Sequence, residues 1–184
     1  MEPKEQKILV AAYRLFNQHG FRKVTMSDIA DAAEMSRPSL YAAFANKEAV
    51  FSAIGVQHNA RAEASLAERL PKATSLRARL EVLFAVWIIE PFASVVDSPA
   101  GLDMLGNAAE YAPDAVAKTY ERFEHHLLTL LKMELTSKRN GMTARDLAHI
   151  MTLATKGLKA STSTVAELTR MTDGLIAMAI ATTR

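Results

Sequence analysis

The sequence contains no cysteine, which excludes disulfide bonds, thiolate zinc sites and cysteine redox sensing. Glycine and proline are scarce, with only 7 and 6 among 184 residues, as is typical of long helices joined by few turns. The longest apolar run, residues 82–89, is far shorter than the roughly 20 residues that a membrane-spanning helix needs. The first residues also lack the apolar stretch of a signal peptide. We therefore expect a cytoplasmic protein that makes no membrane contact.

A strong excess of one charge sign is also missing. The formal net charge is only +2, whereas a strongly basic chain would indicate nucleic-acid binding by composition alone. The first 60 residues carry 7 basic and 6 acidic side chains, a difference of +1. Any nucleic-acid binding must therefore depend on where individual charges lie.

Apolar residues recur at helical spacing along the chain, and no strand-type alternation of useful length is present. This pattern predicts an all-α fold of about nine helices. The longer ones are predicted at residues 3–19, 47–70, 74–90, 113–137, 144–160 and 165–181, and two short helices follow Thr25 and Ser36. We expect Pro91 to interrupt the helix over 74–90, residues 92–106 to form a looser stretch, and Asn140 with Gly141 to form a turn.

Residues 4–50 have the pattern of a helix-turn-helix DNA-binding head. Thr25 and Asp28 are spaced as a capping box that opens one short helix, and Ser36 is a good N-cap for the second. A helix that enters the major groove needs small or polar side chains near its N-terminus. The second short helix offers Ser36, Arg37, Pro38, Ser39, Tyr41 and Ala42. Leu40 would face the core.

On these residues the sequence resembles the TetR family of repressors. The matching positions are Ile8, Leu9, Ala11, Ala12, Leu15, Phe16, Gly20, Phe21, Thr25, Ile29, Ala30, Ala33, Ser36, Arg37, Ser39, Leu40, Tyr41, Phe44, Asn46, Lys47 and Glu48. The resemblance covers residues 4–51. It implies a DNA-binding domain at residues 1–46 and a helical effector-binding and dimerisation domain at residues 47–184.

The resemblance and the helix pattern together give seven DNA-contacting residues: Thr25, Ser36, Arg37, Pro38, Ser39, Tyr41 and Lys47. Tyr41 would contact a phosphate; the alternative is an aromatic ring that closes the small core. Lys47 stands in the first turn of a helix, where a phosphate is favoured; the alternative is a solvated lysine. Arg37 and Ser39 are the candidate base readers, with a phosphate contact or solvent as the alternatives for Arg37. Thr25 would cap its helix and help to hold the DNA backbone.

The chain departs from the family at two places in the head. The family usually has glycine where this chain has Glu34, in the turn between the two short helices. Glutamate tolerates a left-handed backbone poorly, so either the turn has another shape here or some strain is accepted. Ala42 and Ala43 replace the polar or aromatic pair that the family often carries, which predicts fewer DNA contacts and a smaller salt dependence.

Several aromatic residues, among them the single tryptophan, stand near Pro91, where a helix break could form the wall of a cavity. In a TetR-like protein such a cavity would hold a small-molecule effector of unknown identity. The candidate ligand-binding residues are Phe84, Trp87, Phe92, Tyr111, Tyr120 and His126. The alternative is that the aromatic residues are ordinary core.

The histidines do not predict a metal site. His125 and His126 are adjacent on a helix and therefore point about 100° apart, so they do not converge with Glu124 or His149 by themselves. No arrangement of serine, histidine and aspartate has the signature of an activated nucleophile. We expect no metal, no cofactor and no enzymatic activity.

The last two predicted helices begin at capping boxes on Thr143 and Thr164, and each carries an apolar face. In TetR-like proteins the equivalent pair forms a four-helix interface with a second copy, although the faces could also be entirely internal. The candidate interface residues are Leu147, Ile150, Met151, Leu158, Leu168, Met171, Leu175 and Met178. One short recognition helix covers few base pairs, and two copies about 34 Å apart read a palindrome.

The sequence therefore predicts a homodimeric repressor that binds a palindromic double-stranded DNA operator and is released by a small molecule. One alternative is a helix-turn-helix protein without a ligand, acting as an activator or a structural protein. A second alternative is a small helical enzyme or carrier whose head only mimics the motif, for which the sequence offers no catalytic constellation.

Overall fold

Helices account for every regular element in the computed structural model, which describes residues 2–135 and 141–183. The helices are α1 (Pro3–His19), α2 (Met26–Ala32), α3 (Arg37–Ala43), α4 (Lys47–Arg69), α5 (Leu76–Phe84), α6 (Glu90–Ala93), α7 (Pro99–Gly106), α8 (Ala108–Tyr111), α9 (Pro113–Lys132), α10 (Ala144–Ser161) and α11 (Val165–Thr183). The predicted all-α fold is confirmed, although the stretch expected to be loose contains α7. Among these helices, none combines the length and the hydropathy that crossing a bilayer requires.

The helices group into two compact units. The head unit consists of Met1–Ala60 and Val95–Lys118, and the body unit consists of Arg61–Ser94 and Thr119–Arg184. The sequence-based division between residues 46 and 47 assigns functions to the two parts, and it stays a prediction.

A stripe of apolar residues on α1 forms the centre of the head unit. Ile8, Leu9 and Phe16 are at most 1% exposed, and they belong to one cluster with Ile29 of α2 and Leu40 of α3. Complete burial of one such side chain contributes about 1.5–3 kcal/mol. The stripe therefore fixes the two short helices, which carry too few residues to be stable alone.

Helix α7 approaches α1 closely within the head unit because residue 101 is glycine. A Cβ atom added at Gly101 would lie 2.1 Å from Asn17 Oδ1 and 2.7 Å from the carbonyl oxygen of Val95. The Ser98 hydroxyl caps α7 by accepting from the Gly101 N–H at 3.2 Å, and it donates to the carbonyl oxygen of Asn17. Only a residue without a side chain fits this crossing.

Pro91 lies within a helical stretch of the body unit and does not interrupt it, so that prediction was wrong. Helix α5 continues through a π-helical turn, Ala85–Ile89, into α6. The N–H of Glu90 donates to the carbonyl oxygen of Ala85, five residues back. Because a π turn shifts the backbone pairing by one residue, the missing N–H of proline does not break the helix.

Helix α9 ends earlier than the apolar spacing predicts. Its last residue is Lys132, and Met133 and Glu134 form a turn. Continuation of the helix through residue 135 was therefore wrong. The rest of the predicted extension, to Ser137, lies outside the described residues, as does Asn140 of the predicted turn.

Candidate nucleic-acid interface

Thr25 and Asp28 form the predicted capping box at the start of α2. The Asp28 N–H donates to Thr25 Oγ1 at 3.2 Å, and the N–H and hydroxyl of Thr25 each donate to Asp28 Oδ2 at 2.8 Å. Both hydrogen bonds from Thr25 lower the pKa of Asp28, because they stabilise its carboxylate. The bond from the Thr25 N–H has the larger effect, and the bond from the hydroxyl has the smaller one. The box holds the first turn of α2 while the Thr25 side chain stays exposed.

The turn between α2 and α3 keeps the shape that glycine usually provides. Glu34 has a φ of 55°, its N–H donates to the carbonyl oxygen of Asp31 at 3.1 Å, and the N–H of Met35 donates to that of Ala30 at 3.0 Å. This pair of bonds is the Schellman motif, with Glu34 at the left-handed position. Of the two alternatives for this turn, accepted strain is the one observed. The Glu34 carboxylate lies 3.5 Å from Lys7 Nζ, and both side chains are exposed.

Helix α3 buries one side chain, that of Leu40, and most of its remaining residues are exposed. Ser36 caps the helix, with its Oγ accepting from the Ser39 N–H at 3.4 Å. Leu40 is fully buried, whereas Tyr41 is 53% exposed. The Tyr41 ring therefore does not close the core. The other exposed residues of this surface are Ser36, Arg37, Pro38 and Ala42, and Ser39 is half-buried.

Arg37 links the two short helices to each other. Its guanidinium donates a hydrogen bond to Ser27 Oγ of α2. A guanidinium has five N–H donors in a planar fork, so this contact leaves donors for a base or a phosphate. The same bond limits the freedom of the side chain and orients it on the exposed surface.

Lys47 has a structural role that the sequence does not reveal. Its Nζ donates to the carbonyl oxygens of Phe21 and Val24 at 2.7 and 2.8 Å, and it lies 4.4 Å from the centroid of the Phe21 ring. A third carbonyl oxygen, that of Arg22, lies at 3.4 Å. The ammonium group thus holds residues 20–24, between α1 and α2, against the first turn of α4. Asn46 caps α4, with Oδ1 accepting from the Ala49 N–H at 2.8 Å.

The loop that Lys47 holds is also fixed by aromatic contacts in the head unit. The Phe21 ring stacks on Tyr111 of α8 with centroids 4.1 Å apart, and it meets Phe16 and Phe51 at 5.2 and 5.3 Å. Tyr111 is therefore 7% exposed within the head unit. The other five candidate ligand-binding residues belong to the body unit.

The aromatic candidates of the body unit are tightly packed. Phe84, Trp87 and Phe92 are at most 1% exposed, and Trp87 Nε1 has no hydrogen-bond partner among the described residues. The His126 ring lies 5.7 Å from that of Trp87, and its Nε2 lies 3.0 Å from Glu63 Oε2. Glu63, which the sequence analysis missed, also accepts from Arg122 at 3.2 Å. The ligand site stays a prediction.

Two open surface pockets of the body unit are lined by residues other than the candidate ligand-binding residues. One, of about 410 Å³, is lined by Arg69, Lys72, Ala73, Ala78, Glu81, Val82 and Ala85. The other, of about 360 Å³, is lined by Glu124, Arg145, Asp146, His149 and Ile150. In the second, His149 Nδ1 lies 3.2 Å from both carboxylate oxygens of Glu124.

The candidate dimer residues divide into buried and accessible groups. Leu147, Met151, Leu168 and Leu175 are buried within the chain's own fold, Leu158 and Met171 are half-buried, and Ile150 and Met178 are exposed. Leu153, which was not among the candidates, is 52% exposed. Helical spacing does not separate the inner face of a helix from an outer apolar face, so the interface stays a prediction.

Comparison with known proteins links the head to one family. Residues 8–54 match the family described as "Bacterial regulatory proteins, tetR family". The "HTH-type transcriptional repressor ComR" of Escherichia coli K12 is 34% identical over 105 residues, which cover 56% of this chain and 49% of that protein. The "Probable acrEF/envCD operon repressor" of the same strain is 40% identical over 52 residues, or 28% of this chain and 24% of that protein. The chain thus spans about half or less of the length of these curated relatives.

Solved structures share the fold over nearly the whole chain. The fatty acid degradation regulator FadR of Bacillus halodurans matches with a TM-score of 0.75 and 17% identity, covering 96% of this chain and 95% of that one. A TetR transcription regulator from Haloarcula marismortui matches with a TM-score of 0.75 and 18% identity, with the same coverage of 96% and 95%. At such identities the likeness concerns the fold alone. The sequence match to the tetR family is thus confined to residues 8–54, and what extends along nearly the whole chain is a match in fold.

Proposed function

We propose that this protein is a DNA-binding transcriptional regulator, acting as a homodimeric repressor on a palindromic operator. The observation that carries the proposal is the surface of α3, where Leu40 anchors the helix and Arg37, Pro38 and Tyr41 are exposed. Two curated relatives that match the head are named as repressors.

In this proposal the exposed residues divide into positioning and reading contacts. Tyr41, Ser36 and Thr25 hold phosphates, because hydroxyl groups and helix N-termini donate to phosphate oxygens. Arg37 and Ser39 meet base edges in the major groove. To bind a phosphate, Lys47 has to give up one of its hydrogen bonds to the loop, of which the bond to the Arg22 carbonyl oxygen is the longest. Its larger contribution is to hold the loop that supports the head.

The test begins by selecting the preferred duplex from a random pool and measuring binding by fluorescence anisotropy at several salt concentrations. A slope in the plot of log affinity against log salt reports phosphate neutralisation. Removing Tyr41 (Tyr41→Ala) should weaken all sequences by about 5-fold without changing that slope, since tyrosine is neutral. Arg37→Ala should cost about 5- to 150-fold and relax the preference at one base position.

Val56→Ala is a matched control, because Val56 is 57% exposed on α4 of the head unit and outside the α2–α3 surface. This variant should bind like the unmodified protein. Normal affinity and specificity in the Tyr41→Ala and Arg37→Ala double variant would refute the assigned contacts. Failure of the protein to enrich any duplex would refute the proposed function itself.

The homodimer is supported by apolar surface on the last two helices. Ile150, Leu153 and Met178 are 48–63% exposed, and the backbone is open at Gly157 and Gly174, where an added Cβ would meet nothing within 4 Å. Large exposed apolar groups beside small residues suit close packing against a second copy. In sedimentation equilibrium, Met178→Glu should weaken dimerisation. Met133→Glu, at a methionine of similar exposure (57% against 63%) outside these helices, should not.

We further propose that a small molecule releases the protein from its operator. This proposal is supported by the buried Trp87 N–H, which would gain an acceptor from a ligand. The close burial of Phe84, Trp87 and Phe92 favours the second candidate, a DNA-binding regulator without a ligand. Screening small molecules for both a thermal shift and release of operator DNA separates the two. A compound that does both supports ligand control, and unchanged operator affinity across a broad screen supports the second candidate.

A further inference from the structure

One side-chain hydrogen bond joins the two short helices of the head unit, beside the surface proposed to meet DNA. Nη2 of Arg37, in the first turn of α3, donates it to Oγ of Ser27, in the first turn of α2. Ser27 is half-buried and Arg37 is exposed, so the bond ties a surface guanidinium to a more enclosed acceptor. Ser27 is not one of the seven residues assigned to DNA contact.

The first turn of α2 gives Ser27 a fixed place. Thr25 and Asp28 stand on either side of it in the chain and form the capping box. The hydrogen bonds from Thr25 lower the pKa of Asp28 most, and the positive charges of His19 and Arg37 add smaller contributions in the same direction. A carboxylate of the same turn therefore attracts the guanidinium that Ser27 holds.

The geometry of a guanidinium decides which donors this bond leaves available. Its five N–H groups provide two bidentate edges, one formed by Nη1 with Nη2 and the other by Nη2 with Nε. The two edges use different hydrogen atoms of Nη2, so a single bond to Ser27 occupies only one of them. The other edge stays complete, and the bond sets its plane. Such an edge matches O6 and N7 of guanine in the major groove.

We propose that Ser27 is a positioning residue, which holds the Arg37 guanidinium for bidentate recognition of guanine at one position of each operator half-site. This role rests on the proposed function, because it requires α3 to enter the major groove. Ordering a long side chain when a complex forms weakens binding by about 2- to 10-fold. Ser27 restricts Arg37 before DNA arrives, so the contact with guanine avoids most of this loss.

The experiment uses the duplex that the protein enriches and the base position that Arg37→Ala relaxes. Fluorescence anisotropy measures affinity for this duplex and for three others, which carry the remaining bases at that position of one half-site. The unmodified protein should prefer guanine there. Ser27→Ala should reduce the preference by about 2- to 10-fold. The affinity for the three other duplexes and the salt dependence should stay unchanged, because no charge is lost.

Three further variants separate positioning from other roles of the hydroxyl. Ser27→Thr keeps a hydroxyl and should retain the preference. In an Arg37→Ala background, Ser27→Ala should change nothing, because Ser27 acts only through the guanidinium. Ser52→Ala removes another half-buried serine hydroxyl of the head unit, on α4, and should bind like the unmodified protein. Ser27→Ala should itself fold, because Thr25 provides the cap of α2 and alanine favours helices.

The side chain of Arg37 can also be observed without DNA. In NMR relaxation measurements its Nε–H should be more mobile in Ser27→Ala than in the unmodified protein, and it should stay ordered in Ser27→Thr. Unchanged mobility, an unchanged base preference or a preferred base other than guanine would overturn the proposal. So would an equal loss of affinity for all four duplexes, which would make Ser27 a phosphate contact. These results leave the proposed function in place, whereas failure to enrich any duplex would refute both.

Discussion

The left-handed turn at Glu34 predicts that the backbone at this position favours glycine. A non-glycine residue in this conformation costs about 1–2 kcal/mol, whereas glycine adopts it freely. Glycine loses about 0.5–1 kcal/mol through the greater entropy of the unfolded chain. Loss of the exposed contact with Lys7, 3.5 Å away, costs at most about 1 kcal/mol. Glu34→Gly should therefore change the free energy of unfolding by between about −1 and +1.5 kcal/mol, with the backbone term favouring glycine.

The backbone term is isolated by comparing two variants that both remove the carboxylate. Glu34→Ala loses the Lys7 contact in the same way but keeps the left-handed strain, so Glu34→Gly should be more stable than Glu34→Ala by about 1 kcal/mol. Glu34→Gln keeps the side-chain length and reports the charge alone. Urea unfolding followed by far-ultraviolet circular dichroism measures all three, and hydrogen exchange of the α2 amides localises the effect. If glycine and alanine prove equally stable, the φ of 55° is not strained.

Three further predictions concern the head unit. Gly101→Ala should destabilise the protein by about 1–3 kcal/mol, because the added carbon would lie 2.7 Å from a backbone carbonyl oxygen. Gly106→Ala in the same helix should not destabilise it, because its added carbon would meet nothing within 4 Å. Urea unfolding compares the stabilities of the two variants. The pKa of Asp28 is lowered in the folded state, so its carboxylate stabilises the folded protein at pH values above the unfolded-state pKa. This stabilisation disappears as the pH falls through the folded-state pKa. The stability difference between the unmodified protein and Asp28→Asn should therefore shrink below about pH 4, and a constant difference would contradict the capping assignment. Lys47→Met should destabilise by about 1–3 kcal/mol and speed hydrogen exchange in residues 20–24, since two carbonyl oxygens lose their donor; unchanged exchange would show that the loop does not need the ammonium.

The helix caps were predictable because they depend on residues three positions apart. Thr25 with Asp28, Thr143 with Asp146 and the cap at Asn46 all form the bonds that their spacing predicts. The apolar stripe of α1 was predictable for the same reason, since helical geometry alone decides which residues share a face.

Contacts between distant residues were not predictable in this way. Lys47 binds the carbonyl oxygens of Phe21, Arg22 and Val24, which precede it by 26, 25 and 23 positions in the sequence. No local sequence pattern identifies a backbone acceptor. The π turn before Pro91 and the pairing of Glu63 with His126 also depend on packing. For α10 and α11 the spacing marks residues as apolar but does not decide between the chain's own core and an outer face. At Glu34 the sequence left two alternatives, and only the backbone decides between them.

The contacts of Lys47 affect how a mutational scan of the head should be interpreted. A substitution there removes a positive charge near the proposed DNA surface and releases the Phe21 and Val24 carbonyl oxygens at the same time. Loss of operator binding in such a variant therefore combines a missing contact with a loosened support. Tyr41, whose exposed ring leaves the core intact, reports DNA affinity separately from folding. Selection that maintains both properties at Lys47 would tolerate arginine poorly, because a planar guanidinium does not direct its donors as a compact ammonium does.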